Sequence, residues 1–161
     1  MAELIVLGFK EMGTADEAVI ELEQMQKEAL ISIADWARVI RRPDGKVDIR
    51  QGNHPTAAGA LGGTFWGLLF GLIFFVPVFG AVIGAATGLL VGALTDVGID
   101  DKMIKGLGQQ IVPGSSALFV YVIEATGDKV TERMRQYEPE VLRTSLSHDA
   151  EERLRKALAP A

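Results

Sequence analysis

The side chains able to do chemistry in this chain are few and scattered. His54 and His148 are its only histidines, and neither has a second metal ligand at helical or turn spacing. There is no cysteine, so zinc and iron–sulfur centres lack their usual ligands and no disulfide framework points to an oxidising compartment. Ser115 and Ser116 follow Pro113-Gly114, where turn chemistry explains them and no base is placed to activate a hydroxyl. Asp100-Asp101 would suit a cation, but capping of the next helix accounts for both. Gly106-x-Gly108 lacks the Lys-Ser/Thr ending of a phosphate loop. Glu17, Glu21, Glu23 and Glu28 read as a solvated helix face rather than an acid/base pair. The expectation is a non-enzymatic protein with no catalytic residue, metal, cofactor or small-molecule substrate.

The elements around these residues fall into two charged arms and one bare segment. From Thr56 to Thr95 no side chain is charged, so all 16 Lys and Arg and all 21 Asp and Glu lie in the arms. The net charge of −5 argues against nucleic acid, which needs clustered cations. The N-terminus has no basic region before its apolar run and does not read as a signal peptide.

In the first arm, Leu4-Ile5-Val6-Leu7-Gly8-Phe9 reads as a strand buried on both faces. Thr14 or Asp16 can cap an amphipathic helix with Ala18, Val19, Leu22, Met25 and Ala29 on one face. A strand from about residue 34 to 42, the turn Pro43-Asp44-Gly45 and the alternating Lys46–Arg50 form a hairpin. In the second arm, the spacing predicts a helix after Asp100-Asp101, a strand over 117–123, a helix over 127–137, a strand over 141–146 and a capped helix over 150–158.

The strand-helix-strand-strand-helix-strand order is that of an α+β, ferredoxin-like sandwich (βαββαβ plus C-terminal additions). An inserted apolar helical hairpin interrupts it. The expected organisation is residues 1–54 as the first half of the α/β domain, 55–97 as the hairpin and 98–161 as the second half with its C-terminal helix. An apolar strand near residue 120 is unsuited to a bare edge, so the later helix-strand unit should cover it.

The hairpin carries two ladders of glycines four residues apart: Gly59, Gly63, Gly67 and Gly71, then Gly80, Gly84, Gly88 and Gly92. Such spacing leaves a bare stripe on a helix, along which another backbone can approach closely. Each glycine costs about 1 kcal/mol relative to alanine in a helix, so the ladders imply compensating contacts. Beside the first stripe, Trp66, Phe70 and Phe74 repeat the same interval; beside the second lie Ala81, Ala85 and Ala93. Thr56–Phe75 is about 20 residues, roughly the length of one bilayer crossing, whereas Gly80–Thr95 is about 16 and marginal. The reading is a membrane hairpin that oligomerises through its glycines. Its alternatives are a soluble homo-oligomeric scaffold with the hairpins in a shared core, or a small-solute pore lined by Thr64, Thr87 and backbone.

Together Leu4–Phe9, the glycine ladders, Leu94–Asp101, Pro113–Phe119 and Val141–Ser147 resemble a bacterial family of uncharacterised predicted membrane proteins with a glycine-zipper hairpin inserted in a small α/β domain. That resemblance implies association with the lipid bilayer and carries no functional residue across. Arg50, Lys102 and Lys105 flank the hairpin and favour cytoplasmic ends. The expected location is the cytoplasmic membrane with the α/β domain facing the cytoplasm, or else a soluble cytoplasmic assembly.

Overall fold

The computed structural model describes residues 3–52, 63–75 and 106–159. In chain order its elements are β1 (Glu3–Phe9), α1 (Thr14–Lys27), β2 (Ile31–Arg41) and β3 (Val47–Gln51). Next come α2 (Gly63–Phe70), which runs on as a π-helical turn over Gly71–Phe75, and the single turn α3 (Leu107–Gln110). The chain closes with β4 (Ser116–Ala125), α4 (Gly127–Met134, then a 3-10 turn Arg135–Tyr137), β5 (Glu140–Thr144) and α5 (His148–Leu158). The architecture is α+β.

The strands form one antiparallel sheet in the order β3-β2-β4-β1-β5. Because β4 runs antiparallel to both β1 and β2, those two strands are parallel to each other with β4 between them. This corrects the expected place of the strand near residue 120. It lies at the centre of the sheet, paired on both sides, and β3 takes the edge instead. Burial decides it: Ala117, Leu118, Phe119, Val120 and Tyr121 are all buried, which requires cover above and below.

That cover divides the core in two. On one face Leu7, Phe9, Leu118 and Val120 meet Ala18, Val19, Leu22 and Met25 of α1, with Met134 and Leu158 behind. On the other, Leu4, Val6, Val39, Phe119 and Tyr121 meet Trp66, Leu69, Phe70 and Ile73 of the apolar segment, with Leu107 and Ile111. Successive residues of β1 and β4 feed opposite cores, so the strands are apolar throughout rather than alternating.

Several local expectations shift. β2 begins at Ile31, three residues earlier than its pattern suggests, and its register slips near Ile33. The N-cap of α1 is Gly13, with no side-chain cap. Asp16 instead turns its carboxylate to Arg38 at 2.9 Å. The predicted β2–β3 turn forms as expected: Gly45 takes φ +87°, its amide donates to Arg42 O at 2.8 Å, and Asp44 Oδ1 accepts from Lys46 N. Ser147 caps α5 by accepting from Ala150 N at 3.3 Å. The predicted cap at Asp100-Asp101 and the apolar positions Met103 and Ile104 lie outside the described residues, as do the proposed hairpin boundaries at 55 and 97.

Candidate functional site

Residues 63–75 are the described part of the apolar segment, and they lie on the sheet. Their bulky stripe points inward. Trp66 and Phe70 stack with ring centroids 5.8 Å apart, and Phe119 of β4 meets both edge-on, at 6.5 and 4.9 Å. Phe74 continues the row 6.3 Å from Phe70. Edge-to-face and offset-stacked geometries are the favoured ones for aromatic pairs. Trp66, Phe70 and Phe119 are at most 2% exposed.

Two polar anchors hold this row. Asp35 of β2 is buried beneath the aromatic row. Its Oδ2 accepts from Trp66 Nε1 at 2.9 Å, while Oδ1 accepts from the Trp36 amide at 2.8 Å. A buried carboxylate is tolerated only where hydrogen bonds replace its lost water. Arg41, at the end of β2, stands 5.4 Å over the Phe74 ring. Its Nη1 donates to Gly108 O at 2.7 Å and to Ile111 O at 3.3 Å. One guanidinium thus ties the sheet to both the departing and the returning chain.

Those two stretches touch. A Cβ built on Gly108 would lie 2.6 Å from Ile73 O, so only glycine allows this approach. Gly106, at φ +86°, turns the returning chain into α3.

The glycine stripe of this helix is turned away from the sheet. Gly67 is exposed and Gly71 partly so, and a Cβ on either would meet nothing within 4 Å among the described residues. Gly63 opens α2. Gly59 and the whole second ladder, Gly80, Gly84, Gly88 and Gly92, lie outside the described residues. No helix among the described residues is long and apolar enough to cross a membrane.

The chemically able residues found at the sequence level do not converge. His148 is exposed at the start of α5, 3.3 Å from Glu152; His54, Asp100 and Asp101 lie outside the described residues. Ser115 Oγ donates to Val112 O, and Ser116 Oγ donates to Glu11 O while accepting from Ala15 N. Both hydroxyls close loops. Glu21 and Glu28 depart from the expected solvated face, since they clamp Arg133 of α4 at 2.6 and 2.9 Å. That contact holds the Glu28 carboxyl below the usual range, chiefly through the Arg133 hydrogen bond. Among the described residues no three His, Asp or Glu side chains gather as metal ligands.

Sequence reasoning missed Asp35 and Arg41. A carboxylate inside an otherwise apolar strand pattern was the available signal for the first. Nothing in the spacing marks the second.

A family model described as "protein of unknown function (DUF1269)" matches residues 60–159, which include the docked helix, α3, β4, α4, β5 and α5. No curated protein sequence and no solved structure matches the chain.

Proposed function

The chain belongs to this family of proteins of unknown function, and we propose that it is a non-enzymatic, membrane-associated protein that self-assembles through its glycine-ladder segment. We read its core as a ferredoxin-like sandwich, β1-α1-β2-β4-α4-β5, with β3 as an extra edge strand and the apolar segment covering the usually open face. The observation that carries the reading is the join between a charge-free run and a domain that leaves the glycine flank bare. Among the described residues nothing meets Gly67 or Gly71, on a helix whose bulky side is already used.

The stem sharpens how lipid is met. The run beyond Phe75 stays charge-free to Thr95, about 20 residues, whereas two full crossings need about 40. With Ile73 against Gly108, the chain must return to where it left. In this reading the run enters one leaflet from the cytoplasmic side and returns, packing glycine to glycine against other copies. Washing membranes with alkaline carbonate tests this: the protein should stay in the pellet, and release into the supernatant overturns it.

One observation favours a second reading, a soluble assembly with the segment in a shared protein core. Trp66, Leu69, Phe70 and Ile73 are satisfied by protein alone. That reading expects a discrete large particle purified without detergent.

A further inference from the structure

We propose that the outer edge of β3 pairs with the same edge of a second copy, extending the sheet across a two-fold axis at Ile49. This surface is separate from the glycine ladders and does not rest on the membrane reading.

The two sheet edges differ. At β5, Arg143 Nη1 donates to Leu142 O and Arg155 Nη1 to Val141 O, so arginines occupy its carbonyls. The strand is also bulged opposite Val6 and Leu7. Such devices block pairing. β3 has no bulge against β2, and the carbonyl that an arginine reaches there, Asp48 O from Arg38 Nη1 at 3.4 Å, is on its inward side. The bonds Arg42 N to Lys46 O and Gly52 N to Trp36 O fix the phase of the β2–β3 ladder. Asp48 and Arg50 therefore bond inward to β2, while the amides and carbonyls of Val47, Ile49 and Gln51 point outward. Among the described residues nothing bonds to that outward row.

The phase limits self-pairing to a centre on a residue rather than between two, and Ile49 gives the longest overlap. Ile49 then meets Ile49 of the second copy, and Val47 meets its Gln51. Asp48 falls opposite Arg50 of the second copy, twice by symmetry. Opposite charges directly across an antiparallel pair attract. A centre on Asp48 would oppose Asp48 to its own copy and Lys46 to Arg50, like charges in both cases. Both side chains reach solvent, Asp48 44% and Arg50 57% exposed, although Asp48 also meets Arg38 at 3.5 Å and Arg50 meets Asp16 at 3.9 Å and lies over the Trp36 ring at 5.5 Å. A two-fold axis normal to the sheet keeps like faces together, so both α2 helices would emerge on one side.

The chain has no cysteine, which allows a register test on the full-length protein. Asp48→Cys and Arg50→Cys chains are prepared separately, mixed and mildly oxidised. Opposed non-hydrogen-bonded positions sit about 4.5 Å apart at Cα, within disulfide range, whereas like positions are about 8 Å apart. The mixture should cross-link at least several-fold more than either chain alone. Equal cross-linking in the single preparations, or none in the mixture, overturns the pairing. As a second measure, Asp48→Arg or Arg50→Asp should each weaken dimerisation about tenfold, and the double exchange should restore it. If neither reversal moves the monomer–dimer equilibrium, or if the edge instead takes an extended segment of another protein, the proposal fails. Carbonate extraction reads the membrane proposal separately from either result.

Discussion

Trp66 donates its indole N–H to Asp35 Oδ2 at 2.9 Å, joining the apolar segment to a carboxylate beneath it in the sheet. Without the Asp35 carboxylate two buried donors, the Trp66 indole N–H and the Trp36 amide, lose their acceptor. Asp35→Leu should therefore lower unfolding free energy by about 1–3 kcal/mol, measured by urea titration. A neutral result would mean the carboxylate is not holding the helix.

Phe70 is stacked between Trp66 and Phe74 and edge-on to Phe119. Phe70→Ala should cost about 3–5 kcal/mol in the lipid-free protein. A residue that only met acyl chains would show almost no such cost, so thermal unfolding without detergent separates the two situations.

Two glycines should respond with opposite signs. Gly108→Ala drives a methyl against Ile73 O and should destabilise by about 1–3 kcal/mol. Gly67→Ala meets nothing among the described residues within a helix and should stabilise the monomer by up to about 1 kcal/mol. Under the self-assembly proposal, the same Gly67 substitution should weaken association, which native mass measurement in membrane-mimetic conditions would report.

Alkali should titrate both tyrosines late. Burial raises the Tyr121 hydroxyl above 10, with Glu3 adding to it; Tyr137 is raised chiefly by burial, then by Glu21 and Glu17. A folded-state pKa above the unfolded one stabilises the fold below pH 10, and that contribution is lost as pH climbs through the folded value. Tyrosinate absorbance should thus lag free tyrosine, and Tyr121→Phe should extend stability at high pH. Normal titration of both hydroxyls would contradict the burial.

Replacing residues 76–105 with a short flexible linker should leave the domain folded, because Ile73 and Gly108 already touch. Far-UV circular dichroism should be retained, while flotation with liposomes should be lost. Unfolding of the shortened chain would show that residues 76–105 belong to the core.

The strands and most helices were legible because their cause is local. Continuous apolar runs at Leu4–Phe9 and Ala117–Ile123 announced two-sided burial, and Pro43-Asp44-Gly45 announced its turn. Strand order was not legible in the same way. Residues 46–50 and 117–123 are both strands, and only the need to cover the second on two faces sends it to the centre. What the apolar segment packs against was not legible for a related reason. Trp66, Phe70 and Phe74 at four-residue spacing describe a bulky helix face equally suited to lipid or to Phe119. Periodicity reports a face, not what lies against it.

Arg41 stands where the chain departs toward residue 76 and where it comes back, holding Gly108 O and Ile111 O beside the Phe74 ring. Mechanically, this makes a clamp. Tension applied through residues 76–105 would first be resisted at the clamp, through the Ile73–Gly108 contact and the arginine bonds. The central ladder of β2, β4 and β1 would be loaded only after these had yielded. The domain is thereby insulated from forces acting through residues 76–105.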